Sequence, residues 1–142
     1  MGDRIMLVDD ETEFLEVMSE RLTARGIDVA TSTSAEEAIG RLGKETFDAV
    51  ILDLQMPGMD GLEALKHMKE KRPELQVILL TGHATVEKGV EAIKLGAMDL
   101  IEKPADLESL KEKIKKAKEK KMLIVEKENQ NKIIDALKRY GV

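Results

Sequence analysis

The sequence predicts a doubly wound α/β domain, in which helices cover both faces of a five-stranded parallel sheet. Two observations lead to this fold class. Short apolar runs alternate along the chain with segments whose apolar residues recur every three or four positions. The runs are also apolar almost throughout, which is typical of strands buried on both faces. Strands that alternate with helices and connect by right-handed crossovers form a parallel sheet.

Five apolar runs are candidates for the strands. One of them, at 27–30, is weaker than the others because polar residues flank and interrupt it. The four well-marked runs, in chain order, are Ile5–Val8, Ala49–Leu54, Val77–Leu80 and Leu100–Ile101.

The segments between the strands have the spacing of amphipathic helices. Their apolar positions, helix by helix, are Phe14, Leu15, Met18 and Leu22; Ala35, Ala38, Ile39 and Leu42; Leu62, Leu65 and Met68; and Val86, Val90, Ile93 and Leu95. Ser34 begins a capping box, and Gly26 and Gly96 stand where helices should stop. A fifth helix is expected after Pro104, with Asp106 as its N-cap.

The C-terminal part of the chain continues the helical pattern with one interruption. Apolar spacing extends from Leu107 to Ala117, weakens at 128–131 and resumes at Ile133. The tail is therefore either one long helix or two short ones. We divide the chain into a domain at 1–122 and a helical C-terminal extension at 123–142.

Composition narrows the possible functions. A chain of 142 residues suits one compact domain. A net charge of −5 is unlike that of a basic nucleic-acid-binding chain, so we expect no direct nucleic-acid partner. No stretch reaches the roughly 18 apolar residues of a membrane span and no signal-peptide pattern is present, so we expect no membrane partner and a cytoplasmic location. Without cysteine, thiolate metal sites and Cys nucleophiles are excluded.

Polar residues stand where the predicted strands end. Asp9 and Asp10 follow the first strand, Asp53 lies in the third, Thr81 follows the fourth and Lys103 closely follows the fifth. The carboxyl ends of parallel strands converge on one crevice. Three carboxylates gathered there raise one another's proton affinity unless a cation neutralises them. Oxygen ligands favour Mg²⁺, with Mn²⁺ as the alternative.

A carboxylate beside such a cation can attack phosphorus and form an acyl phosphate, and Asp53 is the best-placed nucleophile. Lys103 can pair with one phosphoryl oxygen while Thr81 donates a hydrogen bond to another. Each of these residues alone is more often a turn former, a helix cap or a solvated loop residue. Their joint placement on successive strand ends favours a shared phosphoryl site.

Four motifs together resemble those of bacterial response-regulator receiver domains. They are Val8-Asp9-Asp10-Glu11, the run from Leu52 to Gly61, Leu80-Thr81-Gly82-His83 and Glu102-Lys103-Pro104. The resemblance covers about residues 4–120 in order and spacing. It implies the flavodoxin-like strand order 2-1-3-4-5 and a phosphorylation-activated signalling switch of a two-component phosphorelay. It implies no enzyme activity beyond Mg²⁺-dependent self-phosphorylation and self-dephosphorylation.

The resemblance also implies a donor and a metal site. A sensor histidine kinase or a histidine phosphotransfer protein would donate phosphoryl to Asp53. Asp10, Asp53 and the backbone carbonyl of Gln55 would hold Mg²⁺, with Asp9 supporting the ion through water. Gln55 and His83 occupy positions that influence phosphate lifetime in the family, although His83 by itself is more often a solvated loop side chain.

The family's output is a surface formed by the fourth helix, the fifth strand and the fifth helix, here 85–95, 99–102 and 105–118. Phosphorylation would draw Thr81 toward the phosphoryl group and rearrange this face for a downstream effector that the sequence does not name. The family usually has Tyr or Phe where this chain has Leu100. The output therefore acts through Leu100 and backbone shifts, or is weaker or differently directed. The apolar tail is a dimerisation helix, a coupling helix or a longer last helix, and we expect a weak homodimer.

Two other classes of protein share part of this pattern. Haloacid-dehalogenase-like phosphatases combine a nucleophilic Asp with Thr or Ser, Lys and an acidic pair, but they begin with Asp-x-Asp and carry the pair late in the chain. Here Asp9 and Asp10 come first, and Gln55 stands two residues after Asp53. A phosphorylation-independent interaction domain on the same fold typically has lost its acidic residues, and this chain has kept them.

Overall fold

The computed structural model describes residues 3–82 and 85–140. Five parallel strands form one sheet in the order β2-β1-β3-β4-β5, with helices between them, which confirms the predicted fold class and strand order. The elements in chain order are β1 (Arg4–Val8), α1 (Thr12–Thr23), β2 (Asp28–Ser32), α2 (Ala35–Leu42), β3 (Ala49–Asp53), α3 (Gly61–Lys71), β4 (Gln76–Thr81), α4 (Val86–Lys94), β5 (Asp99–Glu102) and α5 (Leu107–Arg139).

Most strand boundaries differ from the predicted ones by one or two residues. The weakly marked strand β2 begins at Asp28 and continues to Ser32. Ile27 precedes the strand, and its side chain is buried in the core on the α1 side of the sheet. The polar Asp28 begins the strand because backbone pairing with β1 starts there, with Arg4 opposite Asp28. The apolar residues of this segment therefore predicted which side chains are buried more accurately than they predicted which residues pair with β1.

The two faces of the sheet carry separate cores, as the near-continuous apolarity of the strands predicts. Alternate residues of β1, β3 and β4 point to opposite sides, so one set packs under α2 and α3 and the other under α1 and α5. The second core contains Leu110, Ile114 and Ala117 of α5, which are fully buried. Each fully buried Leu or Ile contributes about 1.5–3 kcal/mol of hydrophobic stabilisation.

Side-chain caps fix several helix starts. The Ser34 hydroxyl accepts a hydrogen bond from the Glu37 N–H at 3.1 Å, and Asp106 accepts one from the Ser109 N–H at 3.1 Å, which confirms both predicted caps. Gly61 opens α3 against the preceding loop, where an added Cβ would lie 2.8 Å from the Leu54 carbonyl oxygen. A residue with a side chain therefore cannot occupy this position without moving the backbone that follows β3.

Helices α4 and α5 leave apolar side chains in solvent. Val86, Val90 and Ile93 of α4 are 85%, 49% and 55% exposed, although the sequence pattern marks them as one apolar face. Helix α5 is continuous over 33 residues, so of the two alternatives for the tail the single long helix is correct. At 1.5 Å per residue it extends over roughly 50 Å, and every residue of its last third is exposed. Among the described residues, no helix has the length and apolarity needed to span a membrane.

Candidate functional site

The strand register brings the acidic residues together at one edge of the sheet. Val8 of β1 lies opposite Leu52 of β3, so Asp9 and Asp53 come next at the same level. The Asp9 N–H donates to the Ser32 carbonyl at 3.1 Å, which continues the β2 pairing past the end of β1. Asp9 and Asp53 are buried, at 1% and 4% exposure. Asp10 on the following loop is exposed, and one carboxylate oxygen from each of the three residues lies within 4.8 Å of the others.

Lys103 reaches into this group of carboxylates from the end of β5. The backbone N–H of Lys103 donates a hydrogen bond to the backbone carbonyl of Thr81 at 2.7 Å, which holds the end of β5 beside β4. Its Nζ donates to Asp9 Oδ2 at 2.8 Å and lies 3.7 Å from Asp53 Oδ2 and 3.8 Å from Glu11 Oε1. The Lys103–Pro104 peptide bond is cis.

Burial controls the acidity of Asp53. Desolvation raises the pKa of this carboxyl group to about 6, and the nearby charges of Asp9 and Asp10 add to the increase. The hydrogen bond from the Gln55 N–H, at 3.2 Å, and the charge of Lys103 act in the opposite direction. The site therefore holds more negative charge than one ammonium group neutralises.

Lys103 itself remains a cation. Burial alone would lower the pKa of its ammonium group, but the hydrogen bond to Asp9 and the charges of Asp53, Asp9 and Glu11 outweigh burial and raise the pKa. A permanently charged Nζ within 4 Å of Asp53 is suited to pair with a second anion there.

The donor atoms fit a small hard cation. Mg²⁺ binds oxygen at 2.0–2.1 Å in an octahedron, so two of its ligands lie roughly 2.9–4.2 Å apart. The three carboxylate oxygens within 4.8 Å of one another are close to that range. Both oxygens of Asp9 already accept hydrogen bonds, Oδ1 from the Glu11 N–H at 2.9 Å and Oδ2 from Lys103. Asp10 and Asp53 therefore have more free acceptor capacity than Asp9.

The remaining predicted site residues lie around this centre. Thr81 is the last residue of β4 and is fully buried, one position beyond the Leu80 that pairs with Asp53. The side chain of Gln55 extends to Gly82, where an added Cβ would lie 3.7 Å from Gln55 Oε1. His83 lies outside the described residues.

Leu100 lies on β5, at some distance along the sheet from the acidic group. It is partly buried and faces Gly89 of α4, where an added Cβ would lie 3.6 Å from Leu100 Cδ2. Val86, Val90 and Ile93 line the adjoining groove of about 560 Å³ between α4 and β5.

Two residues near Lys103 were not identified from the sequence as part of the site. Glu11 is the third carboxylate around the ammonium group, and the Phe14 ring centroid lies 4.5 Å from Lys103 Nζ. The helical spacing marked Phe14 only as an apolar position of α1. The one available signal was its place four residues after Asp10, in the first turn of the helix that follows the acidic loop.

A family model of the response regulator receiver domain matches residues 5–115. The chain belongs to this family. Receiver domains are the phosphorylation-dependent switches of two-component signalling, and they bind Mg²⁺ through acidic residues. The chain is a signalling domain and not a phosphatase of the haloacid-dehalogenase type.

Curated relatives and solved structures agree with this assignment. The C4-dicarboxylate transport transcriptional regulatory protein DctD of Rhizobium meliloti is 34% identical over 93% of this receiver chain and 29% of its own length. A CheY-like receiver domain protein from Methanospirillum hungatei has a TM-score of 0.81 at 31% identity, covering 86% of this chain and 98% of that one. A response regulator from Burkholderia pseudomallei was solved with a phosphorylated aspartic acid and a calcium ion. It has a TM-score of 0.73 at 28% identity, and the match covers 77% of this chain and 64% of that one.

These relatives correct one expectation from composition. The DNA-binding transcriptional regulator NtrC of Klebsiella pneumoniae is 37% identical over 72% of the receiver chain and 22% of its own length. The receiver chain thus spans less than a third of the DctD and NtrC chains, which are named as regulators of transcription. A net charge of −5 describes this chain alone, so the expectation of no nucleic-acid partner does not carry over to regulators of this kind.

Proposed function

We propose that Asp53 is the phosphoryl acceptor of this receiver domain and that a sensor histidine kinase or a histidine phosphotransfer protein is the donor. The single observation that supports this most strongly is the position of the Asp53 carboxylate. It is buried at the end of β3, within 4.8 Å of oxygens from Asp9 and Asp10, and 3.7 Å from Lys103 Nζ. A buried carboxylate that faces other carboxylates and an ammonium group is suited to bind a cation and an anion side by side.

In the proposed transfer, a carboxylate oxygen of Asp53 forms a bond to phosphorus while the P–N bond of the donor phosphohistidine breaks. The electron pair of that bond returns to the imidazole nitrogen. Lys103 pairs with a phosphoryl oxygen, and the Thr81 hydroxyl donates to another. When bound, Mg²⁺ neutralises charge between the carboxylates and the phosphoryl group. The same site hydrolyses the acyl phosphate, and Gln55 and His83 set how water reaches it.

For the metal we propose Asp10, Asp53 and the Gln55 backbone carbonyl as direct ligands, with Asp9 acting through water. The two hydrogen bonds that Asp9 already accepts support its indirect role. The exposure of Asp10 supports a direct role, because its carboxylate can turn toward an ion at little cost. Mg²⁺ is the expected ion, with Mn²⁺ as a substitute, because all the donors are oxygen.

The decisive experiment measures intact mass after incubation with acetyl phosphate and Mg²⁺. The parent chain should gain one phosphoryl group, and Asp53→Asn should gain none. Asp135→Asn removes a carboxylate from the exposed tail and is the matched control. An unmodified parent, or a phosphorylated Asp53→Asn variant, would overturn the assignment. Omitting Mg²⁺ should abolish uptake in the parent and in Asp135→Asn, and Mn²⁺ should restore it in both.

The output surface is proposed to be the α4-β5-α5 face and to act on a transcriptional output module, since relatives are named as transcriptional regulators. The exposed Val86, Val90 and Ile93 support this because they give α4 an apolar face in solvent. Leu100 lies under that face, so the switch is proposed to act through a shift of Leu100 against Gly89. The ion pair between Lys113 and Asp99, at 2.5 Å, ties α5 to β5 so that the two move together.

The extension at 123–142 is proposed to pair with the extension of a second copy. One side of α5 is buried against its own domain, and it carries Leu110, Ile114 and Ala117. At 100° per residue, the exposed Ile133 and Leu137 lie more than roughly 100° around the helix from that side. The extension therefore cannot bury its apolar residues by continuing along its own domain. An amphipathic helix that extends from a domain gains stability by packing against another helix.

Light scattering with and without an acyl phosphate mimic tests the homodimer. A monomer–dimer equilibrium that Leu137→Lys abolishes is expected, with Arg139→Glu, about 160° around the helix from Leu137, as the control. A strict monomer under both conditions would contradict it. Truncation after Met122 should remove the dimer and leave phosphorylation of Asp53 intact, which would support the division at 1–122. Fractionation of cells that express the chain tests the expected cytoplasmic location.

A further inference from the structure

Phe14 makes a contact with Lys103 that packing alone does not require. It lies in the first turn of α1, partly buried, and its ring packs against the core between the sheet and α1. The Lys103 ammonium group lies over one face of the ring, with Nζ 4.5 Å from the ring centroid. A cation within about 6 Å of an aromatic centroid is attracted by the negative charge of the ring face.

The position of Lys103 must change if Asp53 takes up a phosphoryl group. Nζ now donates to Asp9 at 2.8 Å and lies 3.7 Å from Asp53, too far for a strong hydrogen bond. Pairing with a phosphoryl oxygen on Asp53 requires Nζ to move away from Asp9. A hydrogen bond is short and directional, so the bond to Asp9 cannot follow that movement. The attraction of the ring is less directional, so it still acts after Nζ has moved, and it acts more strongly there because Asp9 no longer competes for the ammonium group.

From these contacts we infer that Phe14 is a positioning residue that holds the Lys103 ammonium group as it shifts from Asp9 to the phosphoryl group. The inference rests on the proposed function of Asp53. An aliphatic residue at position 14 would cover the Lys103 side chain equally well, but it would desolvate the ammonium group without attracting it. Replacing the ring face should therefore slow phosphorylation of Asp53 by about 2–5-fold, which is the range expected for a partly exposed cation–π pair.

The test is site-specific incorporation of mono-, di- and trifluorinated phenylalanine at position 14. Fluorine withdraws charge from the ring face and changes its shape little. The rate constant for phosphorylation by acetyl phosphate with Mg²⁺ should fall stepwise along the series, while the Mg²⁺ dissociation constant should stay within about twofold. Phe14→Tyr should keep the parent rate, and Phe14→Leu should match the trifluorinated protein.

Phe47 is the matched control because it is the only other phenylalanine in the chain and also lies under a cation. Arg4 Cζ is 4.6 Å from its centroid, at the opposite end of β1 from the acidic site. The same fluorinated series at position 47 should leave the phosphorylation rate unchanged. A flat rate along the position 14 series, an equal effect at position 47 or a parallel loss of Mg²⁺ affinity would each overturn the inference.

An NMR measurement separates this inference from the proposed function. Protons above a ring face are shifted upfield by the ring current, so the Lys103 ε-methylene protons should be upfield in the parent and shift downfield in Phe14→Leu. Equal shifts in the two proteins would overturn the inference even if Asp53 is phosphorylated. If the parent takes up no phosphoryl group but shows the upfield shift, the contact stands, and both the function of Asp53 and the positioning role that depends on it are wrong.

Discussion

Replacing Asp53 with Asn should make the metal-free protein more stable at neutral pH, although it abolishes phosphorylation. Burial and the charges of Asp9 and Asp10 raise the pKa of the Asp53 carboxyl group from an ordinary value of 3.8 to about 6. The folded chain therefore binds this proton more tightly than the unfolded chain. Its stabilising contribution is full below about pH 4 and is lost as the pH rises through about 6.

The magnitude follows from the two pKa values. Each pH unit between 3.8 and about 6 corresponds to about 1.4 kcal/mol, which gives an upper limit of about 3 kcal/mol at pH 7.5. Asn also loses the attraction between Asp53 and Lys103, which lie 3.7 Å apart, so part of the gain is offset. We expect a net increase of about 1–2 kcal/mol in the free energy of unfolding, or a rise of roughly 3–10 °C in Tm.

The assay is thermal and urea unfolding with EDTA at pH 7.5 and pH 4. Asp53→Asn should unfold at a higher temperature than the parent at pH 7.5, and the difference should disappear at pH 4. Added Mg²⁺ should stabilise the parent more than the variant, because a ligand stabilises the state that binds it. Asp135→Asn removes a charge from the exposed tail and should change neither curve. A variant that is no more stable than the parent at pH 7.5, or a difference that persists at pH 4, would refute the reasoning.

Three further predictions test how the fold supports the site. Gly61→Ala places a Cβ 2.8 Å from the backbone of Leu54, so it should destabilise the protein by about 1–3 kcal/mol in urea, whereas Gly40→Ala, with open space in α2, should stabilise it by about 0.5–1 kcal/mol. Asp106→Ala should cost about 1 kcal/mol in the same assay by removing the cap of α5, and Asp106→Ser should restore most of it. His83→Ala should change the decay rate of phosphorylated Asp53, and an unchanged decay would show that this side chain does not influence attacking water.

Much of the site was predictable because strand ends are visible in sequence. Asp9, Asp53, Thr81 and Lys103 each end or follow an apolar run, and the carboxyl ends of parallel strands meet at one edge. The fold class and strand order followed for the same reason, and the family resemblance extended them to a specific switch. The roles of these residues in phosphorylation stay predictions until the mass measurement is made.

Tertiary structure decided what periodicity cannot express. Phe14 and Leu15 are adjacent apolar residues of α1, but only the fold shows that Leu15 is buried in the core while the Phe14 ring lies under Lys103. Likewise, Val90 of α4 and Leu110 of α5 both follow a helical pattern, and only Leu110 is buried. A pattern records which residues share one side of a helix. What that side contacts depends on elements far away in the chain, and for Phe14 the contact is a lysine from the end of β5.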